Sequence, residues 1–172
     1  MNFFAIFYKI NVRHLLWQAL QVIVMFGVIY TAVNWYRKPA LPAVSALSFY
    51  DIDGNHYALD RLSQDQAVLV YFWGTWCHIC SFTSPKVNTL SQSYPVLTVA
   101  VASGDNAVLQ RYKSTHDYQF IVINDDDTAI FKNWQGQVTP SFAIIKDGKM
   151  VQGFTGITPL WTMKARLWIA NW

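Results

Sequence analysis

The longest run of apolar positions lies near the start of the chain, over residues 15–36, where no side chain is charged. A helix of this length spans the roughly 30 Å core of a lipid bilayer. Trp17, Trp35 and Tyr36 lie near its two ends, where amphipathic rings favour the membrane interface. A cleaved signal peptide and a buried core helix are the alternatives, but this run is longer than a signal peptide's apolar region and lacks its small-residue cleavage motif. We therefore predict an uncleaved transmembrane anchor.

Farther along the chain, strand-like and helix-like patterns alternate. Two continuous apolar runs, 67–73 and 96–102, predict strands that are buried on both faces of a sheet. A helical pattern follows each of them, over about 79–91 and over 105–116. Pro85 lies inside the first helical pattern and predicts a kink in that helix rather than its end.

Shorter elements complete this alternation. Asp53-Gly54 and Asp147-Gly148 each suit a tight turn between two alternating runs, which predicts two hairpins. The other predicted elements are a helical turn capped by Asp60, a strand over 120–123, a helix over 128–134, and a final amphipathic helix with Leu160, Met163, Leu167 and Ala170 on one face. Strands alternating with helices indicate a parallel sheet, to which the second hairpin adds an antiparallel edge. The fold class is therefore α/β: a three-layer fold with a mixed central sheet flanked by helices, preceded by one transmembrane helix.

The chain thus divides into four predicted parts. These are a cytoplasmic N-terminal segment (1–14), the transmembrane anchor (15–36), a short proline-containing linker (37–43) and the α/β domain (44–172). Two basic residues precede the anchor and two follow it, so the positive-inside count is a tie. The amino terminus adds positive charge on the N-terminal side of the anchor, and His14 lies on that side too, which favours the cytoplasm for it.

Charge is divided between the anchor region and the domain. Residues 1–38 carry four Lys or Arg and no acid, whereas residues 39–172 carry nine Lys or Arg against ten Asp, which gives +4 and −1. The whole-chain charge of +3 therefore belongs to the flanks of the anchor and does not indicate a nucleic-acid partner. The acidic block at 125–127 precedes a helical pattern, so we interpret it as a solvated helix cap, with a cation site as the alternative.

Both cysteines of the chain, Cys77 and Cys80, form a C-x-x-C pair between a predicted strand and a predicted helix. A disulfide that closes so short a loop stabilises a domain only slightly, which disfavours a purely structural bridge. Structural zinc normally needs four ligands, and the sequence has no second cysteine pair. Binding of Cu(I) by the two thiolates stays open as an alternative, as does a binding module in which the pair has lost its function.

The position of the pair favours redox chemistry. Cys77 falls at the start of a helix, where the helix dipole and free backbone N–H groups stabilise a thiolate. A thiolate is the attacking species in disulfide exchange, and Cys80, one turn later, can resolve the mixed disulfide. We therefore predict that Cys77 is the exposed attacking residue and that the helix partly shields Cys80.

A wider set of residues resembles the thioredoxin superfamily. Residues 72–80, FWGTWCHIC, resemble its active-site signature, and Pro85 matches the proline that kinks its active-site helix. Residues 138–142, VTPSF, resemble the segment whose proline is cis and lies beside the cysteine pair. Asp147-Gly148-Lys149 and Gly153 fit the hairpin that follows. Within the superfamily, the chain resembles membrane-anchored TlpA- and ResA-type thiol–disulfide oxidoreductases, and among them the suppressor-of-copper-sensitivity group.

This resemblance implies roles for further residues. Thr139 and Pro140 would bind the substrate chain in a short strand-like contact, Trp76 would shield the cysteine pair, and His78 and Ile79 would modulate it. The implied partners are protein disulfides or dithiols and a membrane protein that supplies or accepts electrons. No metal or organic cofactor is implied. The implied location is the bacterial inner membrane, with the domain in the periplasm.

Two departures from the family pattern concern proton transfer. Thioredoxins carry a buried Asp six residues before the first cysteine, where this chain has Tyr71, and several tethered reductases carry a Glu six residues after it, where this chain has Thr83. Slower reduction or a different task follows from the loss of both carboxylates. His78 occupies a position between the cysteines, where a protonated imidazole would stabilise a thiolate and make the disulfide more oxidising; an idle, exposed His78 is the alternative.

Overall fold

The structure, a computed structural model, describes residues 12–40 and 48–172. Helix α1 spans Val12–Arg37, and the chain divides into two compact units between Tyr36 and Arg37. Within the described residues, one helix, Arg13–Arg37, is long and apolar enough to cross a membrane. The predicted helix is therefore present and extends beyond 15–36 at both ends. Most of the predicted N-terminal segment lies outside the described residues.

The described residues of the second unit form a five-stranded sheet, a separate two-stranded hairpin and five helices. The strands are β1 (Ser48–Tyr50), β2 (His56–Ala58), β3 (Val68–Trp73), β4 (Val96–Val101), β5 (Ile121–Asp125), β6 (Ser141–Lys146) and β7 (Lys149–Thr155). The helices are α2 (Leu59–Asp65), α3 (His78–Ser91), α4 (Asn106–Thr115), α5 (Ala129–Asn133) and α6 (Leu160–Ala170).

The central sheet has the strand order β5-β4-β3-β6-β7. Strands β3, β4 and β5 are parallel, while β6 and β7 add an antiparallel edge. Every residue of β3 and β4 is buried, which is the burial that their continuous apolar runs predict. The mixed sheet and the two predicted hairpins are thus confirmed.

Helices cover both faces of this sheet, which confirms the three-layer architecture. Residues of α3, α4 and α6 pack with Tyr71 and Trp73 of β3 on one face. On the other face, α2, α5 and the β1–β2 hairpin pack with Phe72 and its neighbours. The alternation follows from the strand period of two, since successive side chains of β3 point to opposite faces.

The site region lies at the edge of the sheet where β3 ends. Trp73 ends β3, and α3 begins five residues later at His78. Strand β6 starts at the same edge, because Ser141 pairs with Phe72. Strand β7 ends there, because Thr155 pairs with Ser141. The register therefore brings together three segments that are far apart in the chain.

The predicted cap of α2 is wrong. The helix begins at Leu59, its N-cap is Ala58 without a side-chain hydrogen bond, and Asp60 lies in the first turn. Leu59 is fully buried, so packing of this residue against the domain core determines where the helix starts.

The first residues after α1 pack on the domain. Pro39 is buried, and the Ala40 N–H donates a hydrogen bond of 2.8 Å to the Trp134 carbonyl. Gly153 of β7 makes room for this segment, since a Cβ at this position would lie 3.2 Å from the Pro39 carbonyl oxygen. Residues 38–40 of the expected linker thus belong to the surface of the domain, and residues 41–43 lie outside the described residues.

The acidic block that precedes α5 is a helix cap with one buried member. The Asp125 carboxylate accepts hydrogen bonds of 2.8 Å from the Ile130 and Phe131 N–H groups. Asp126 accepts from the Gly104 N–H, and Asp127 accepts from the Ala129 N–H. The expected role as a cap is present, but Asp125 is only 2% exposed, so this part of the cap is not solvated.

Replacement of Asp125 by asparagine is expected to destabilise the domain by about 1–2 kcal/mol, because one acceptor of the cap is lost. Burial raises the pKa of Asp125, although the hydrogen bonds from Phe131 and Ile130 lower it in part. A raised pKa means that the folded state holds this proton more tightly than the unfolded state does. The stabilisation from this group is therefore complete below about pH 4 and is lost as the pH rises through the raised pKa.

The free energies of unfolding in urea, measured between pH 3 and pH 7, test this expectation. The native chain should have a higher free energy of unfolding than the Asp125→Asn variant at pH 3, and this difference should decrease as the pH rises. Asp126→Asn is the matched control, with an expected change of less than about 0.5 kcal/mol at an exposed position. A difference between native and Asp125→Asn that stays constant with pH would contradict the assignment.

Candidate active site

Cys77 and Cys80 form a disulfide, with 5.2 Å between their Cα atoms. Cys77 is the N-cap residue of α3, and the Cys80 N–H donates to its Sγ atom at 3.2 Å. The Cys77 N–H itself donates to the Gly74 carbonyl at 3.1 Å, which holds the turn between β3 and the helix. The sulfur of Cys77 therefore lies where backbone N–H groups and the helix dipole would stabilise a thiolate in the reduced protein.

The two sulfur-bearing residues differ in accessibility. Cys77 is 8% exposed and Cys80 is 1% exposed. Cys77 is therefore the more accessible of the two, as predicted, but the prediction that it is exposed is wrong, because both residues are buried in the core. Cys77 precedes α3 as its N-cap residue, whereas Cys80 lies in the first turn of the helix and faces the core.

Trp76 lies at the surface beside the disulfide. Its side chain is 61% exposed, and its indole N–H donates to the Val101 carbonyl at the end of β4 at 3.0 Å. Gly74 allows this position, because a Cβ there would lie 2.6 Å from the indole nitrogen. The Ser103 hydroxyl accepts from the Thr75 N–H and fixes the same turn. Gly74 is part of the quoted signature, but its role in making room for the indole was not predicted, and neither was the role of Ser103. Shielding of the disulfide by Trp76 stays a prediction.

Thr139 and Pro140 lie at the same edge of the sheet. The peptide bond between them is cis, as the resemblance predicted. Pro140 is buried and Thr139 is half-buried. The Pro140 carbonyl accepts from the Gly156 N–H at 2.9 Å, which joins this turn to the loop after β7. The contact of Thr139 with a substrate chain stays a prediction.

His78 and Ile79 form the exposed start of α3. Ile79 is 47% exposed, and the His78 ring lies edge-on to Phe82, with 5.3 Å between the ring centroids. Both residues thus lie beside the disulfide on the solvent side. Their effect on its chemistry stays a prediction.

Hydroxyl-bearing residues, Tyr71 and Thr83, occupy the two positions where the family pattern led us to look for a carboxylate. The Tyr71 hydroxyl lies 3.0 Å from the Ser84 hydroxyl, and both residues are fully buried. Burial raises the pKa of Tyr71, so this phenol stays protonated at neutral pH. Thr83 is also fully buried and donates to the Ile79 carbonyl at 3.4 Å. Ser84 was missed by the sequence reasoning, although it lies four residues after Cys80 and so on the same side of α3.

The described parts of the chain contain no group of three or more His, Cys, Asp or Glu side chains placed to hold a metal ion. Binding of Cu(I) by the two cysteines alone, the alternative drawn from the sequence, stays a prediction.

Comparison with known proteins places this geometry among redox proteins. Residues 38–164 match the family model described as Redoxin. The chain is 36% identical to a thioredoxin-like protein of Haemophilus influenzae over 94% of its own length and 98% of that protein. It is 31% identical to the thiol–disulfide oxidoreductase ResA of Bacillus cereus, over 62% of its own length and 64% of that protein. Among solved structures, the exposed lipoprotein thioredoxin Etrx1 of Streptococcus pneumoniae shares the fold, with a TM-score of 0.63 and 23% identity over 71% of this chain and 97% of that one.

Proposed function

The chain belongs to the Redoxin family and is a thiol–disulfide oxidoreductase, and we propose that it works as a membrane-tethered enzyme on the periplasmic side of a bacterial inner membrane. It exchanges the Cys77–Cys80 disulfide or dithiol with cysteines of protein substrates. A membrane protein renews its redox state by supplying or accepting electrons.

The observation that carries this proposal is the environment of Cys77. Its sulfur accepts the Cys80 N–H at the start of α3, and Cys77 is the more accessible member of the pair. A thiolate at this position is stabilised and is therefore also a good leaving group. Cys77 thus combines a stabilised thiolate with greater accessibility than Cys80, and the first step of exchange requires both properties.

The exchange proceeds through a mixed disulfide. A substrate thiolate attacks Cys77 Sγ, a bond forms between the two sulfurs, and the Cys77–Cys80 bond breaks. Cys80 leaves as a thiolate and takes a proton from solvent. A second substrate thiolate then attacks the substrate sulfur of the mixed disulfide and releases Cys77. The substrate loses two electrons, which the pair gains, while protons exchange with solvent: the substrate thiols release theirs on ionising, and Cys80 takes one up. The reverse sequence reduces a substrate disulfide.

The resolving step in the reducing direction depends on deprotonation of Cys80. The Tyr71 and Thr83 hydroxyl groups, at the two positions where the family pattern has a carboxylate, are already hydrogen-bonded inside the protein. We propose that water accepts this proton, so the resolving step accelerates as the pH rises.

Separate observations support the membrane location. Helix α1 is long and apolar enough to cross a bilayer. A disulfide-exchanging domain fits the periplasm, because disulfides form and persist in oxidising compartments.

A trapping experiment tests the function and its location together. In the full-length Cys80→Ser variant, Cys77 can form a mixed disulfide that no second cysteine resolves. Acid-quenched cells are therefore expected to show adducts that disappear on reduction, and the captured partners should be exported proteins. A variant with both cysteines replaced by serine is the control and should show no adduct. Adducts with cytosolic proteins would contradict the location, and a lack of any adduct would contradict the function.

A further inference from the structure

Helix α6 is apolar on two opposite sides. Met163 and Leu167 are fully buried in the core on one side. On the other side, Trp161 and Trp168 lie two helical turns apart and are 73% and 59% exposed. Trp172 follows one turn later and is 90% exposed, and its ring lies edge-on to the Trp168 ring, with 5.6 Å between the centroids. We call these three residues, Trp161, Trp168 and Trp172, the tryptophan face.

The exposure of the tryptophan face indicates that it has a partner. A helix that is apolar all round is normally buried on all sides, but within the described residues each of these rings stays more than half exposed. Single exposed apolar residues are ordinary on protein surfaces, whereas neighbouring large rings form a patch. The exposed Ala165 and Ile169 extend this patch. A patch of this kind is typical of a surface that binds a protein or a membrane.

The charge beside the tryptophan face favours a membrane. Residues 148–172, which include β7 and α6, carry Lys149, Lys164 and Arg166 and no acid, which gives +3. Residues 51–147 carry six Lys or Arg against ten Asp, which gives −4. Indole rings favour the headgroup region of a bilayer, and anionic headgroups attract Lys and Arg. The part of the domain that exposes the tryptophans is therefore also the part whose charge is complementary to anionic lipid.

Helix α6 holds this face in a fixed position on the domain. The Arg166 guanidinium donates to the Gln152 side chain at 2.9 Å and lies over the Phe154 ring, 4.6 Å from its centroid. These contacts join the middle of α6 to β7. Near the other end of the helix, the Asn171 side-chain carbonyl accepts from the Ala67 N–H. The tryptophan face is thus presented by a packed helix, and its docking needs no folding step.

The connection to α1 keeps lipid close to the domain. Helix α1 ends at Arg37, and Pro39, two residues later, is already buried on the domain. With α1 in the bilayer, as proposed, the domain surface therefore begins almost where the membrane-spanning helix ends. Headgroups are then within reach of the domain in any orientation.

We propose that the tryptophan face docks on the bilayer surface, with its indole rings among the headgroups and Lys164 beside anionic phosphates. This inference rests on the proposed membrane tether, because only a tethered domain stays next to lipid. Transfer of the rings out of water stabilises the docked state, and attraction between Lys164 and anionic headgroups adds to it.

The test uses the full-length chain in vesicles of phosphatidylcholine mixed with phosphatidylglycerol. In the oxidised chain both native cysteines lie in the disulfide, so one added cysteine is the only thiol available for a fluorophore. Ala165→Cys places the fluorophore between Trp161 and Trp168. Ala107→Cys, at an exposed alanine of α4, is the matched control. Lipids that carry a nitroxide near the headgroup quench the fluorophore where it contacts the bilayer.

Interfacial helices bury their apolar face about 5–10 Å into the boundary between headgroups and acyl chains, so we expect quenching about threefold stronger at Ala165→Cys than at Ala107→Cys. Trp161→Ser combined with Trp168→Ser should remove most of this difference. Tyr50→Ser is the control, since it removes an aromatic ring that is 69% exposed on β1, and the difference should persist. In vesicles of phosphatidylcholine alone the difference should decrease, because Lys164 then has no anionic headgroup to contact.

The outcomes separate docking from the tether on which it rests. Equal quenching at the two sites, in chains that float with the vesicles, would overturn docking while the membrane tether stands. If the Ala165→Cys fluorophore is protected from iodide in the water but is not quenched by the lipid, a protein or a second copy of this chain covers the face, and docking on lipid is wrong. A full-length chain that does not float with the vesicles would contradict the tether itself, and docking with it.

Discussion

Replacing Cys77 with serine is expected to lower the rate of thiol–disulfide exchange to that of a protein-free control. A serine hydroxyl is not ionised near neutral pH and cannot form a disulfide, so the first step is lost. The fold should survive, because serine is a favourable N-cap residue and can take over the position at the start of α3. The loss of activity then reports chemistry rather than unfolding.

Single-turnover reaction with a small activated disulfide measures this effect. Cys80→Ser is the matched control, since it removes one sulfur from the same helix but leaves the accessible one. This variant should still release one equivalent of leaving group. The opposite result, with Cys77→Ser reactive and Cys80→Ser silent, would reverse the two roles.

The Tyr71→Ala variant is expected to lower the free energy of unfolding by about 3–5 kcal/mol, as for other large aromatic residues truncated in a core. The Tyr71 ring is fully buried and stacks on Phe142 and Trp73, with centroid distances of 4.9 and 6.5 Å. Removal of the ring leaves a cavity between the central strand and α3. Urea unfolding of the oxidised protein measures the loss.

Tyr71→Phe separates the ring from its hydroxyl group. This variant keeps the packing but leaves the buried Ser84 hydroxyl without its partner, at an expected cost of about 1–2 kcal/mol. Adding Ser84→Ala to Tyr71→Phe should recover part of this loss, because both ends of the hydrogen bond are then absent. If Tyr71 only packs, Tyr71→Phe should not slow reduction of a disulfide; a large decrease in rate would show that the phenol takes part in deprotonation of Cys80.

The parts of this protein that could be predicted from sequence are those that local residues determine. The buried run of β3 indicates its own strand, and a cysteine directly after it falls at the start of α3 for that reason. The cis bond before Pro140 came from a family motif. Each signal extends over fewer than ten residues.

The missed features depend on contacts between distant residues. Asp60 had the chemistry of a cap, but burial of Leu59 determined where α2 starts. Burial of Asp125 depends on how α5 folds back over the end of β5. The hydrogen bond from the Ala40 N–H to the Trp134 carbonyl joins segments almost a hundred residues apart. No periodicity or local propensity carries such information, because it is produced by the assembled core.

The segments that hold the disulfide and the cis peptide bond, residues 74–85 and 136–145, contain no Asp, Glu, Lys or Arg, and this affects how the enzyme meets its substrates. Without electrostatic steering, proteins associate at about 10⁵–10⁶ M⁻¹ s⁻¹, compared with 10⁸–10⁹ M⁻¹ s⁻¹ for strongly steered pairs. The association rate should therefore vary little with ionic strength, since there is little attraction for salt to screen. Competing substrates then differ mainly in the lifetime of their encounter complexes. The segment that reacts is the one whose dissociation is slow enough for its sulfur to reach Cys77.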